Sequence, residues 1–219
     1  MQKPKNETQN RRLLIAIDGT AASGKGSLAR RIADFYDLSY LDTGKIYRAV
    51  GLKILKNGID VEKSPAQAIE MAKKIKVADL KSPALDTEEV GRIASIASAI
   101  PEIRAELLDF QRKYAKSSKG AVLDGRDIGT VVCPEAEFKL FITASLPTRA
   151  KRRFNELQSK GKDVIYEQVF NDLKERDERD SKRKISPLVP AKGAIKIDTS
   201  HMNLEEVFRK VISIIGMPN

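Results

Sequence analysis

The chain reads as an α/β protein, a five-stranded parallel sheet flanked by helices, and three observations predict it. Short apolar runs alternate with helical faces along most of the sequence, the pattern of a parallel sheet covered on both sides. The first apolar run leads into a glycine-rich turn that opens a helix. The last helix carries Leu204, Val207, Phe208, Val211, Ile212 and Ile215 in a stripe of 3.6-residue period.

The elements follow in order. Leu13-Leu14-Ile15-Ala16-Ile17 is the first strand, and the next helix has Leu28, Ile32 and Phe35 on one face. Leu38-Ser39-Tyr40-Leu41 is a second, short strand. It precedes a helix through Ile46, Val50 and Ile54, which Gly58 closes. Between Ile59 and Ser118 no strand is predicted. Ala68, Met71, Ala72 and Ile75 make one helical face, Val90, Ile93, Ala94 and Ala97 a second, and Ile103, Leu107, Phe110 and Tyr114 a third. This is a helical insertion with a loop around Lys81-Ser82-Pro83. Ala121-Val122-Leu123, Phe138-Lys139-Leu140-Phe141-Ile142 and Ile195-Lys196-Ile197 are the remaining strands. Before the last of these, one helix opens with Arg149, Arg152 and Arg153 and ends near Gly161. Another has Val169, Phe170 and Leu173 on a face that becomes Arg176, Asp180 and Arg183 one or two turns on. A stripe that is apolar and then charged is anchored in a core and projects ionic groups toward something polar. The plain alternative is a solvated helix whose acidic residues pair with its own arginines. Ser186-Pro187-Leu188-Val189-Pro190 ends this hairpin.

Composition narrows the classes. At 219 residues the chain suits one α/β domain with an inserted subdomain. Its formal charge of +10 favours an anionic partner without choosing among nucleotide, nucleic acid and lipid. A nucleic-acid-binding protein would interleave aromatics with its basic residues, and aromatics are only 5% and unclustered. The single cysteine, Cys133, excludes an intrachain disulfide, fits a cytoplasmic home and reads as a packing residue. The single histidine, His201, gives no metal-ligand pattern and no histidine base, so no protein metal site is expected. No apolar run approaches a membrane span, and residues 1–12 read as a polar, flexible tail.

The turn Gly19-Thr20-Ala21-Ala22-Ser23-Gly24-Lys25-Gly26-Ser27 carries the first chemistry. Strand, glycine-rich turn, lysine, hydroxyl and helix together form a phosphate cradle. Gly19 and Gly24 let the backbone approach a phosphate, successive N–H groups point inward, and the helix adds its positive end. Lys25 supplies a point charge for the outer phosphates. The plain alternative is a glycine-rich turn with a solvated lysine.

Here Gly26 stands between Lys25 and the hydroxyl of Ser27, an arrangement similar to that of nucleoside monophosphate kinases. Three further stretches extend the likeness: Tyr40-Leu41-Asp42-Thr43-Gly44-Lys45-Ile46-Tyr47-Arg48, Asp124-Gly125-Arg126-Asp127-Ile128-Gly129-Thr130-Val131-Val132, and Arg176-Asp177-Glu178-Arg179-Asp180-Ser181-Lys182-Arg183 with Pro187-Leu188. Together, from the loop almost to the C-terminus, they resemble the bacterial cytidylate kinases.

The resemblance implies a P-loop kinase with three parts. The core spans 13–58, 119–148 and 191–219, a helical nucleotide-monophosphate-binding insertion about 59–118, and a helical lid about 149–190. It implies ATP as donor, with Mg2+ held mainly by the substrate phosphates, and CMP and dCMP as acceptors; a monomer is the default expectation. Thr43 and Arg48 would hold the monophosphate, Ser95 and Arg104 would read the cytosine edge, and Arg126 would contact phosphate. Asp127 would accept from the exocyclic amine, Asp180 would lie near the ribose hydroxyls, and Arg183 would join base recognition. Lys25, Arg153 and Arg176 would neutralise the transferring phosphates, Asp124 would orient metal-bound water beside Ser27, and Arg149 would stack on adenine. The chain departs from the family pattern in lacking a strand-like segment around Leu80 to Leu85. The competing readings are a kinase for another small acceptor such as UMP and, in a different class, a basic nucleic-acid-binding protein.

Overall fold

The computed structural model describes residues 12–116 and 119–217, so all of the expected tail except Arg12 lies outside the described residues. Five strands form one sheet: β1 (Leu14–Gly19), β2 (Ser39–Asp42), β3 (Ala121–Gly125), β4 (Phe138–Thr143) and β5 (Ile195–Asp198). Their spatial order is β2-β3-β1-β4-β5 and every neighbouring pair is parallel. Eight helices accompany them among the described residues: α1 (Lys25–Phe35), α2 (Thr43–Lys56), α3 (Pro65–Lys73), α4 (Glu88–Ala97), α5 (Pro101–Ala115), α6 (Leu146–Ser159), α7 (Tyr166–Lys182) and α8 (Leu204–Ile215).

Period-two alternation divides the core. Ile15 and Ile17 of β1 are fully buried on the face shared with Leu28 and Ile32 of α1 and Val207 and Val211 of α8. Ala16 points to the other face, with Ile46, Val50 and Ile54 of α2 and Ile103 and Leu107 of α5. Each fully buried Leu or Ile contributes roughly 1.5–3 kcal/mol. A third apolar group holds the α6–α7 hairpin down, with Leu157, Val169 and Leu173 packed on Ala21 of the glycine loop. The apolar half of the α7 stripe is therefore an anchor, as its sequence predicts.

Helix starts are set by side chains that accept orphan N–H groups. Asp42 caps α2 through Lys45 N, Thr87 caps α4 through Val90 N, and Asn203 with Glu206 forms a capping box on α8. The strand order changes direction beside β1, so the carboxyl ends of β1 and β3 open a crevice suited to a ligand.

Four details differ from the sequence reading. The loop expected at Lys81-Ser82-Pro83 is two 3-10 turns, Val77–Lys81 and Pro83–Asp86. Proline can open a helical turn while forcing its predecessor out of one, and Ser82 is accordingly extended. Phe35 is 37% exposed, at the edge of the α1 core face rather than inside it, where it meets Phe208 edge-on. A π turn, Ile128–Val132, follows β3 where no helix was expected. Arg183 does not continue the α7 stripe but caps the helix in an extended conformation. Leu188 N donates to Asp180 O at 2.7 Å, which folds the chain back over the helix end.

Candidate active site

The glycine loop joins β1 to α1. Gly19 has φ +153, and a Cβ there would lie 1.9 Å from Ile142 O. The close approach of β4 thus demands glycine here. Gly24, at φ +86, is the N-cap of α1 and offers no side-chain cap. The first N–H groups of α1 are left to an anion, which the helix end favours. Ser23 Oγ donates to Thr20 O at 2.9 Å and braces the loop from within. Ala22, within the predicted loop, takes φ +57, a left-handed conformation that its residue type does not foretell.

Lys25 is half-buried, and its amine is lowered to about 8 by burial and by the Arg126 guanidinium, against the pull of Asp124. Asp124, at the end of β3, is raised to about 6 by burial and then by the charge of Asp42, with Lys25 opposing. Asp42 and Asp124 are register partners across β2 and β3. Tyr40 Oη donates to Asp124 Oδ2 at 2.8 Å. Asp42 and Tyr40 lie in a stretch that carries the resemblance but were given no role from sequence; Asp42 was legible as an N-cap, whereas nothing foretold the Tyr40 hydroxyl bond to Asp124.

Lys25, Asp124, Arg48, Arg126, Arg153 and Arg176 line one cavity of about 460 Å³. Arg48, Arg126, Arg176 and Ser95 also line a smaller cavity of about 50 Å³, which Thr43, Arg104, Asp127, Asp180 and Arg183 complete. Residues from β3, α2, α4, α5 and α7 thus meet at one point. Arg48 Nη1 donates to Leu85 O at 2.7 Å and Thr87 O at 3.1 Å, so the insertion braces it. Thr43 Oγ1 donates to Asp124 O at 2.7 Å. That hydroxyl is committed to the backbone rather than held out toward a ligand. Ser95 Oγ accepts from Arg179 Nε at 3.3 Å, which adds Arg179 to the residues sequence reasoning passed over.

Asp180 is the hub of the arginines. Arg126 Nε donates to it at 2.8 Å, and Arg176 and Arg183 stand 4.0 Å away. Burial opposes its charge, but Arg126 and Arg176 prevail and hold the carboxyl below its ordinary range. Burial and Arg126 lower Arg176 to about 10. Arg104 pairs with Asp127 and donates to Ser98 O at 3.1 Å. Arg104 Nε, Arg176 Nε and Arg183 Nη2 are buried without hydrogen-bond partners. Unsatisfied donors of this kind are rare and call for an acceptor that a ligand can supply.

The lid residues divide. Arg153 reaches the larger cavity and pairs with Glu88 of α4 and Glu156 of its own helix. Arg149 does not offer an open face for stacking on adenine. It is 4% exposed, and its guanidinium donates to Ala144 O, Ala21 O and Asp177. The α6–α7 packing buries it, and that role falls outside what helical periodicity shows. Arg152, by contrast, lines a separate cavity of about 220 Å³ with Ser27, Thr199 and Met202. Ser27 is exposed and lines that cavity. Cys133 is fully buried, and burial pushes its thiol up to about 12, so it is an inert packing residue. His201 is exposed. No helix among the described residues is long and apolar enough to cross a membrane.

A parallel sheet bearing a glycine loop, with a lysine and a carboxylate facing an arginine-lined cavity, defines a P-loop phosphotransferase. The family model described as cytidylate kinase matches residues 15–217. A cytidylate kinase of Paramagnetospirillum magneticum is 52% identical over 206 residues, covering 93% of this chain and 97% of that protein. A cytidylate kinase of Rhodospirillum rubrum is 50% identical over 208 residues, with 93% and 97% coverage. An uncharacterised protein of Eubacterium ventriosum, of known structure, aligns with TM-score 0.51 at 16% identity over 93% of this chain and 98% of that one, a likeness of fold alone. The chain belongs to the cytidylate kinase family and is a kinase. Family membership does not favour the reading as a nucleic-acid-binding protein.

Proposed function

We propose that the protein transfers the γ-phosphoryl group of ATP to CMP, and to dCMP, giving ADP and the diphosphate. The single observation that carries this is the smaller cavity. Arg104, Arg176 and Arg183, each with a buried nitrogen that lacks a partner, line it; Asp127 faces the first and Asp180 the other two; and it shares Arg48, Arg126 and Arg176 with the larger cavity that the glycine loop lines. Such a pocket fits a planar base rich in acceptors joined to a phosphate.

The reaction needs alignment and charge neutralisation more than covalent help. A phosphate oxygen of CMP attacks the γ-phosphorus, the bond to the bridging oxygen breaks, and ADP leaves with the electron pair. The acceptor is already anionic, so no strong base is required. Lys25 and the free N–H groups of α1 hold the donor phosphates. Arg48, Arg126 and Arg176 hold the acceptor phosphate, and Arg153 exchanges Glu88 for the transferring group when the lid closes over it. Arg104, Asp127, Ser95 and Arg183 meet the base, Asp180 the sugar. The adenine lies in the Arg152 cavity next to the glycine loop. Mg2+ would be held mainly by the substrate phosphates, and Asp124, with its register partner Asp42, would offer hard oxygen donors to the water around it. When bound with the donor, Mg2+ neutralises phosphate charge. The chain divides into core, insertion 59–118 and lid 149–190, and works as a cytoplasmic monomer in pyrimidine nucleotide metabolism.

The test is ADP formation from Mg-ATP with CMP, dCMP, UMP, AMP or no acceptor. Rapid turnover with CMP and dCMP and little with the rest is expected. Turnover with UMP but not CMP would overturn the base-reading residues. No turnover with any acceptor would overturn the reaction.

A further inference from the structure

One buried carboxylate of this region reaches neither of the two joined cavities. Asp18 lies at the carboxyl end of β1, is 2% exposed and lines neither of them. Its two oxygens accept successive backbone N–H groups, Ile128 at 2.7 Å and Gly129 at 2.8 Å. These are the first two residues after Arg126 and Asp127. A Cβ on Gly129 would come within 3.5 Å of the same carboxylate, so the π turn lies close against it. A buried carboxylate is costly, and an apolar residue would fill this end of β1 more cheaply if packing were all it did. Burial does raise its carboxyl to about 6, with the two N–H groups pulling the other way.

We propose that Asp18 is a positioning residue for the acceptor base: by pinning Ile128 and Gly129 it fixes Arg126 and Asp127 against Asp180 and Arg104. Asp127 leaves β3 at φ −146 and ψ 27, so the direction of its carboxylate depends on where the next peptide is held. Held there, Asp127 meets Arg104, and Arg126 meets Asp180. The inference rests on the reading that Asp127 and Arg104 meet the cytosine.

The test is Asp18→Asn, which keeps the volume but turns an NH2 group toward one of the two N–H groups. The KM for CMP is expected to rise about 10-fold, as for a displaced hydrogen-bonding group. The KM for ATP should stay within about 2-fold, since the loop's own braces are untouched. An unchanged KM for CMP overturns the proposal, and so does an equal rise for both nucleotides, which marks a general structural role. Should the variant fail to fold, amide exchange on the wild-type enzyme without nucleotide decides. The Ile128 and Gly129 amides are expected to exchange as slowly as those of β3, and loop-like exchange overturns the proposal. Asp127→Asn separates the two levels. If it leaves the preference for CMP over UMP intact, the base reading fails, whereas the Asp18 anchor is judged by amide exchange and by the CMP-against-ATP split.

Discussion

Asp180→Asn tests the charge balance on which the acceptor pocket depends. The residue is 4% exposed, with Arg126 at 2.8 Å and Arg176 and Arg183 both at 4.0 Å. Asparagine keeps the shape and still accepts from Arg126, but the negative charge is gone. Three guanidinium groups, which keep their protons at working pH, then face one another. Removing one partner of a buried ion pair costs about 3–5 kcal/mol, and the surviving hydrogen bond sets the expectation near the lower end, about 3 kcal/mol. For a chain of this size each kcal/mol moves Tm by about 2–4 °C, so a fall of about 6–12 °C is expected. The sign with pH follows from the depressed carboxyl of Asp180. Its contribution is fully present above the unfolded carboxyl range, near pH 4, and is lost only as pH falls through the folded value. The gap between wild type and variant should be constant from neutral pH to about 4 and narrow below it. An anion that binds the arginines restores stability by mass action, about 2.7 kcal/mol at one hundred times its Kd. Thermal melts of both proteins, with and without sulfate, measure all of this. A loss under about 2 °C, or one that sulfate does not reduce, would refute the reasoning.

Four other outcomes are expected. Lys25→Ala should lower kcat by about 10²–10³ in the ADP assay with little change in Tm, because the lysine aids the phosphates and not the core. Near-normal turnover would count against it. The kcat/KM profile should be bell-shaped, with an acidic limb near 6 and a basic limb near 8. Activity rises as Asp124 loses its proton and falls as Lys25 loses its own, the two limbs belonging to the coupled pair; a profile flat from about pH 5 to 9 would contradict it. Arg149→Ala should lower urea stability by about 2 kcal/mol or more, through the carbonyls and carboxylate left bare, and change the KM for ATP little. A change confined to that KM would return Arg149 to the adenine site. Gly19→Ala should destabilise by about 3 kcal/mol or more, since its methyl overlaps the Ile142 carbonyl of β4, and unchanged urea unfolding would refute that.

All five strands, α1, α2 and the closing α8 were legible in the sequence because burial imposes periods of 2 and 3.6 on residues close together in the chain. Ile15 and Ile17 against Ala16, and the stripe ending at Ile215, repeat locally what the sheet and helices do globally. The phosphate loop was legible for the same reason, since Gly24, Lys25 and the start of α1 are neighbours in sequence. Resemblance, not periodicity, pointed to Arg48, Arg104, Arg126 and Asp127, whereas the stripe of α7 had already marked Asp180 and Arg183, and the fold brings all six to one pocket.

Tertiary structure alone decided which atoms those side chains have left to offer. Arg149 and Arg153 are four residues apart on one helix; burial against Ala21 and Asp177 removes the first from the site, while the second reaches the cavity. Thr43 Oγ1 is committed to the β3 backbone, and Asp18 holds a turn 110 residues away in sequence. A sequence displays the kinds of groups available and the local periods that bury them. Hydrogen-bond partners and charge neighbours are set by distances between distant segments, so the roles of Asp18, Asp42, Tyr40 and Arg179 exist only once the chain has closed on itself.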